Sequence, residues 1–139
     1  MYSSTKSYVL STAHRLWEGN YRGKCRSLHG HSFIVTVTIK SKEVDSVGFV
    51  VDFGGAFSKV KDFLFNAFDH GTVLCVNDPL GRILNDGTNK VEYLKDNPTC
   101  ENLAAEIRFQ TLLILEDFKF DQIEVSVQEG PDGGIGKCF

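Results

Sequence analysis

Between Phe33 and Lys40 the apolar residues Phe33, Val35, Val37 and Ile39 alternate with Ile34, Thr36, Thr38 and Lys40. A period of two sends the first set to one face and the second to the other, so the segment reads as a long antiparallel-type strand. The same period governs what precedes it. In Cys25-Arg26-Ser27-Leu28-His29-Gly30-His31 the two imidazoles stand two residues apart. On a strand they project from one face and leave Gly30 behind them. Two imidazoles on one face make half of a metal site, although the pair alone equally suits two hydrogen-bonded surface histidines. A third, His14, closes the run Tyr8-Val9-Leu10-Ser11-Thr12-Ala13, which also favours a strand. Three histidines with a fourth position open form the donor set of a catalytic zinc site rather than a structural one.

The remaining pattern predicts both strands and helices. Ser46 to Phe53 reads as a strand closing a hairpin with the alternating one. From Ala56 to Phe68 the apolar residues Phe57, Val60, Phe63, Leu64, Ala67 and Phe68 recur at spacings of three and four, as an amphipathic helix requires. A second helix starts after Thr99, a suitable N-cap, with Glu101 in its first turn, and runs towards Asp117. Ile123, Val125 and Val127 alternate in a further strand that ends at Glu129, and Ile135 to Phe139 forms a short last one. Gly71 to Asn97 is a long connection holding one short strand, Val91 to Leu94; its length suggests function or an interface. The expected fold is α+β, an antiparallel sheet with two helices on one face. With 139 residues, no internal repeat and no linker-like shift in composition, residues 1–139 are expected to form one domain.

Charge and cysteine usage narrow the partners. A formal net charge of -3 without a long Lys/Arg run disfavours nucleic acid. No apolar run approaches the roughly 18 residues of a membrane span, and Met1 to Lys6 lacks a signal-peptide core, so a cytoplasmic protein is expected. Cys25, Cys75, Cys100 and Cys138 form no Cys-x-x-Cys pair and read as thiols. Cys75, between Leu74 and Val76, reads as a small buried hydrophobe.

Only Cys25 has chemistry beside it. Arg22, Lys24 and Arg26 lie close in sequence, and cations favour the thiolate that acts as base or nucleophile. The same cations suit a polyphosphate. Asp69-His70 pairs a carboxylate with an imidazole, as proton transfer requires, but also fits a helix terminus with His at its negative end. Glu129 could accept from a heterocycle's amide and amino groups, or simply end a strand in solvent. The glycine-rich stretch Gly130 to Cys138 departs from a phosphate loop in spacing and has no helix after it, so it reads as a turn between the last two strands.

Taken in order, Ser11 to Leu16, the Cys-x-x-x-His-Gly-His of Cys25 to His31, Val51-Asp52-Phe53, Asp69-His70, Asn97 to Ala104 and Glu129 resemble the 6-pyruvoyltetrahydropterin synthase/6-carboxytetrahydropterin synthase family. The three-residue gap between Cys25 and His29 is most similar to the 6-carboxytetrahydropterin synthase branch, which makes a queuosine precursor. The resemblance implies a tunnelling fold that oligomerises into a β-barrel as a trimer or hexamer, with active sites at subunit interfaces. It implies Zn2+ on His14, His29 and His31; Cys25, Asp69 and His70 as catalytic residues; and Glu129 as the pterin anchor, facing the zinc from across or near an interface. Thr99 and Glu101 of the Asn97 to Ala104 motif are further candidates for substrate contact. The implied reaction converts 7,8-dihydroneopterin triphosphate to 6-carboxy-5,6,7,8-tetrahydropterin with release of triphosphate and acetaldehyde. The 6-pyruvoyl product, or a non-catalytic metal-binding scaffold, is the alternative.

Overall fold

The computed structural model describes residues 1–139. Its longest elements are two paired strands, β1 (Tyr2–His14) and β2 (His29–Ser41). They run antiparallel in unbroken register from Tyr2 opposite Ser41 to His14 opposite His29. The alternation in β2 is realised as expected: Phe33, Val35, Val37 and Ile39 are buried. Strand β1 begins earlier than its apolar run suggests, because its polar half is held by cross-strand hydroxyl pairs. Thr5 meets Thr38 at 2.9 Å and Ser7 meets Thr36 at 2.7 Å.

Four further strands extend this ribbon to a six-stranded sheet: β3 (Gly71–Cys75), β4 (Val91–Leu94), β5 (Gln122–Glu129) and β6 (Ile135–Cys138), in the order β4-β3-β1-β2-β5-β6. The sheet is mixed, not purely antiparallel as the sequence reading had it, because β3 runs parallel to both β1 and β4. The supposed connection between the helices therefore supplies two strands and a short helix, α2 (Leu80–Leu84). Strand β3 escaped the alternation test because Val73, Leu74 and Cys75 are all fully buried, and a strand covered on both faces does not alternate. Cys75 is core, as expected, and all four cysteines are free thiols.

The strand expected over Ser46 to Phe53 does not form. Asp45 Oδ1 instead accepts the N–H groups of Val47, Gly48 and Phe49, each at 2.9 Å, and Gly48 adopts φ 101°. A side chain that gathers three successive amides competes directly with a strand ladder. The segment still contributes Val51 to the core.

Helices α1 (Ala56–Ala67) and α3 (Cys100–Ile114) cover the apolar face of the sheet, making three α-helices with α2 rather than two. Helix α1 buries Ala56, Phe57, Val60 and Leu64, and the Tyr8 hydroxyl donates to the Phe57 carbonyl at 2.9 Å. Burial of that phenol pushes its pKa up to about 12. Helix α3 is capped by Thr99, whose hydroxyl accepts from the Asn102 amide at 3.2 Å. Strand β6 lies so close to the start of α3 that a side chain at Gly136 would meet Cys100 and the Glu101 backbone, which draws the β5–β6 hairpin over the helix N-terminus. No helix is long and apolar enough to cross a membrane.

Phe57 is fully buried where α1 meets the sheet. Phe57→Ala should destabilise the fold by about 3–5 kcal/mol. Urea unfolding checks this, and a loss below about 1 kcal/mol would show that the cluster repacks easily.

Candidate metal centre and active-site cleft

The β1–β2 register places His14 directly opposite His29, and β2 carries His31 on the same face two residues on. The three rings meet edge to face, with centroids 4.6 Å (His14–His29), 5.2 Å (His14–His31) and 4.9 Å (His29–His31) apart. One ligand atom from each lies within 4.8 Å of the others.

Backbone contacts aim these rings. His14 Nδ1 lies 2.8 Å from the Pro98 carbonyl and His29 Nδ1 lies 2.6 Å from the Ser27 carbonyl. A carbonyl only accepts, so each Nδ1 carries the proton and each Nε2 keeps its lone pair. Burial lowers the His14 pKa, the Pro98 contact opposes that, and the neighbouring His29 and His31 lower it further. A neutral imidazole is the form that binds metal. The Nε2 atoms of His14, His29 and His31 are all buried and have no hydrogen-bond partner. Buried polar atoms without partners are rare, and three that converge fit a bound cation.

The triad opens on a cleft of about 640 Å³ lined by Lys24, Cys25, His29, His31, Glu129 and the turn Gly130–Gly133. Cys25 sits in a 3-10 turn, Lys24–Arg26, just ahead of β2. The Tyr21 phenol lies beside this thiol, and that neighbour is the main cause of the phenol's raised pKa. Tyr21 folds over Gly23, where any side chain would collide with its ring. Sequence reading missed Tyr21.

Glu129, at the end of β5, pairs with Phe33 of β2. This brings it to the histidines within the same chain, where the expectation was that it faces the zinc from across or near an interface. Cys100, read from sequence as having no chemistry beside it, is buried next to this carboxylate. Burial and then the Glu129 charge push its thiol up to about 12.

Asp69 and His70 do not line the cleft. Asp69 Oδ1 accepts the Ser11 amide at 2.9 Å and its Oδ2 lies 2.8 Å from His70 Nδ1. The Ser11 amide is the first cause of the lowered Asp69 pKa, with His70 adding to it. The carboxylate thus contacts an imidazole whose side chain is 81% exposed, just beyond the end of α1. His70 is also the one non-glycine residue at positive φ, 56°.

The other candidate contacts lie outside this cleft or along its wall. The Thr99 hydroxyl caps α3, and Glu101 is exposed on that helix, outside the cleft. Arg26 donates to the Trp17 carbonyl at 3.0 Å and stacks over the Trp17 ring at 4.9 Å, leaving Lys24 as the cation on the cleft wall. Arg15 lies over the same ring at 4.6 Å and forms a two-pronged ion pair with buried Asp78.

Asn97 is the residue whose importance the sequence reading did not isolate. Its Oδ1 accepts from the Trp17 and Glu18 amides at 2.9 and 3.0 Å, and its Nδ2 donates to the Glu18 carbonyl at 3.0 Å. The loop it grips is tied to the thiol, since the Leu16 amide donates to the Cys25 carbonyl at 2.9 Å. Pro98, next in sequence, orients His14. Asn97→Ala should strand three backbone groups at a cost of about 1–3 kcal/mol each where they stay dry. Thermal unfolding, together with amide exchange over residues 15–24, checks this; unchanged exchange there would refute the grip.

Comparison with known proteins gives the same picture. A family model described as 6-pyruvoyl tetrahydropterin synthase matches residues 4–135. The chain is 33% identical to a 6-carboxy-5,6,7,8-tetrahydropterin synthase of Rickettsia bellii, over 100% of this chain and 98% of that one. An uncharacterised protein of Wolinella succinogenes shares the fold with a TM-score of 0.85 at 20% identity, covering 99% and 97% of the two chains. The 6-pyruvoyl tetrahydropterin synthase of Plasmodium falciparum does so with a TM-score of 0.70 at 19% identity, over 99% and 98%. A match along nearly the whole sequence, joined to this fold, settles the relationship: the chain belongs to the 6-pyruvoyl tetrahydropterin synthase family.

Proposed function

We propose that this protein is a zinc-dependent 6-carboxytetrahydropterin synthase, converting 7,8-dihydroneopterin triphosphate to 6-carboxy-5,6,7,8-tetrahydropterin with release of triphosphate and acetaldehyde. The observation that carries this reading is the convergence of three partnerless imidazole nitrogens, a thiol and a carboxylate on one cleft. The full-length likeness to the Rickettsia bellii synthase supports the 6-carboxy product.

His14, His29 and His31 would hold the zinc, which when bound supplies Lewis-acid polarisation of substrate oxygens and makes adjacent C–H protons easier to remove. The proton work falls to the chain. Cys25 takes a proton from the substrate side chain, with the Tyr21 phenol beside it. Glu129 accepts hydrogen bonds from the ring nitrogens of the pterin, and Lys24 meets the triphosphate at the cleft wall.

Asp69 and His70 act on the cleft of a neighbouring subunit. This accounts for an oriented, exposed imidazole that the cleft of its own chain does not contain. It also fits a sheet whose outer strands, β4 and β6, leave edges to be covered by closure with other copies into a barrel.

Incubation with dihydroneopterin triphosphate and identification of the product by mass tests the activity. A pyruvoyl product would move the protein to the other branch, and no turnover with zinc bound would favour a scaffold. Cys25→Ala should lose at least about 100-fold in kcat while keeping its zinc, and His29→Ala should lose both. Full zinc occupancy in His29→Ala would sink the ligand assignment.

Subunit sharing has its own test. Cys25→Ala and His70→Ala chains, each inactive alone, should regain roughly a quarter of wild-type activity when co-assembled at equal ratio, because that fraction of sites draws an intact residue from each chain. No recovery in a mixed oligomer would refute the shared site.

A further inference from the structure

Glu129 stands in a position that anchoring a heterocycle does not explain. Its Oε1 lies 3.7 Å from Nε2 of His14 and 3.7 Å from Nε2 of His31. Neither contact is a hydrogen bond, since both are longer than such bonds extend and both nitrogens are without a partner. At His14 the reason is plain. Its proton sits on Nδ1 against the Pro98 carbonyl, so Nε2 presents a lone pair to a carboxylate oxygen. Two lone-pair donors face each other at such range comfortably only with a cation between them.

The spacing to two of the three imidazoles is close to that of ligands around one ion. In a tetrahedral site with metal–ligand bonds of about 2.0–2.1 Å, donor atoms are separated by roughly 3.3–3.4 Å. The carboxylate oxygen is within a few tenths of an ångström of that separation from two imidazoles at once. The backbone keeps it there. Glu129 is opposite Phe33, two residues from His31, and its amide is bonded to the Gly134 carbonyl at 3.2 Å across the hairpin turn. The side chain also lines the cleft, where an incoming substrate would meet it.

We propose that Glu129 Oε1 is the fourth metal ligand in the substrate-free protein and is displaced when substrate oxygens arrive. One carboxylate then serves the metal at rest and the heterocycle during turnover. This rests on the reading of His14, His29 and His31 as metal ligands. It makes the resting centre a closed N3O site whose open position is created by the substrate.

Cobalt(II) substituted into the apoprotein reports coordination without reference to turnover. Wild type, Glu129→Gln and Glu129→Asp would be compared by visible d–d absorption and by competition with a chelator. Glu129→Asp keeps the charge but is one methylene short, separating ligation from mere electrostatic attraction. Both variants should change the cobalt spectrum and bind the metal roughly 10-fold or more weakly. Neopterin, whose side chain carries vicinal hydroxyls, should shift the wild-type spectrum towards that of the variants. Identical spectra and affinities in all three proteins would overturn the proposal while leaving the histidine site intact. Failure of the wild type to take up cobalt or zinc would overturn the histidine reading itself.

Discussion

The antiparallel pairing of β1 with β2 is the constraint on which everything else depends. Its register joins Tyr2 to Ser41 and His14 to His29, so one ladder sets both the core face and the imidazole cluster. A slip of one residue would turn every side chain of one strand to the wrong face. Tyr8 and Leu10 would leave the core together with His14, so the hydrophobic effect that orders the strands also selects the arrangement of the histidines.

Much of this was legible in the chain, because period two is a strong signal where one face is buried. The alternation of Phe33 to Ile39, the spacing of His29 and His31, the helix of Phe57 to Leu64 and the Thr99 cap all express local rules. Legibility failed where the rule was not local. Strand β3 has no alternation because both its faces are covered, and the pairing that reveals it lies some sixty residues away in β1. The segment after Asp45 has the composition of a strand, but one carboxylate captures its amides first. In the site, the same distinction holds. Residue types announced His14, His29, His31, Cys25 and Glu129 as candidates. The contacts of Asn97, Tyr21 and Cys100 arise only from folding, and nothing in their immediate neighbours declares them.

The loop between β1 and β2 shows how a mobile kind of segment is made rigid enough for chemistry. Trp17 packs against two guanidinium groups, Arg15 and Arg26, and Arg15 is in turn fixed by buried Asp78. Burial raises the Asp78 carboxyl, but Arg15 and the Leu80 amide together outweigh it and hold the group below the usual range. The cations nearest Cys25 in sequence are thus not all free to meet an anion; Arg26 works on the loop itself.

Asn97, Pro98 and Thr99 are consecutive, yet each serves a different part of the molecule: the loop of the thiol, the ring of His14 and the first turn of α3. In evolutionary terms this ties three lineages of constraint to one tripeptide. A point substitution there disturbs one of them, but an insertion or deletion shifts all three at once, and no single compensating change elsewhere can restore them together. Length in this protein should therefore vary in the Asp45 turn or around Gly87, where chain is exposed and little is attached, and stay fixed between Leu94 and Cys100.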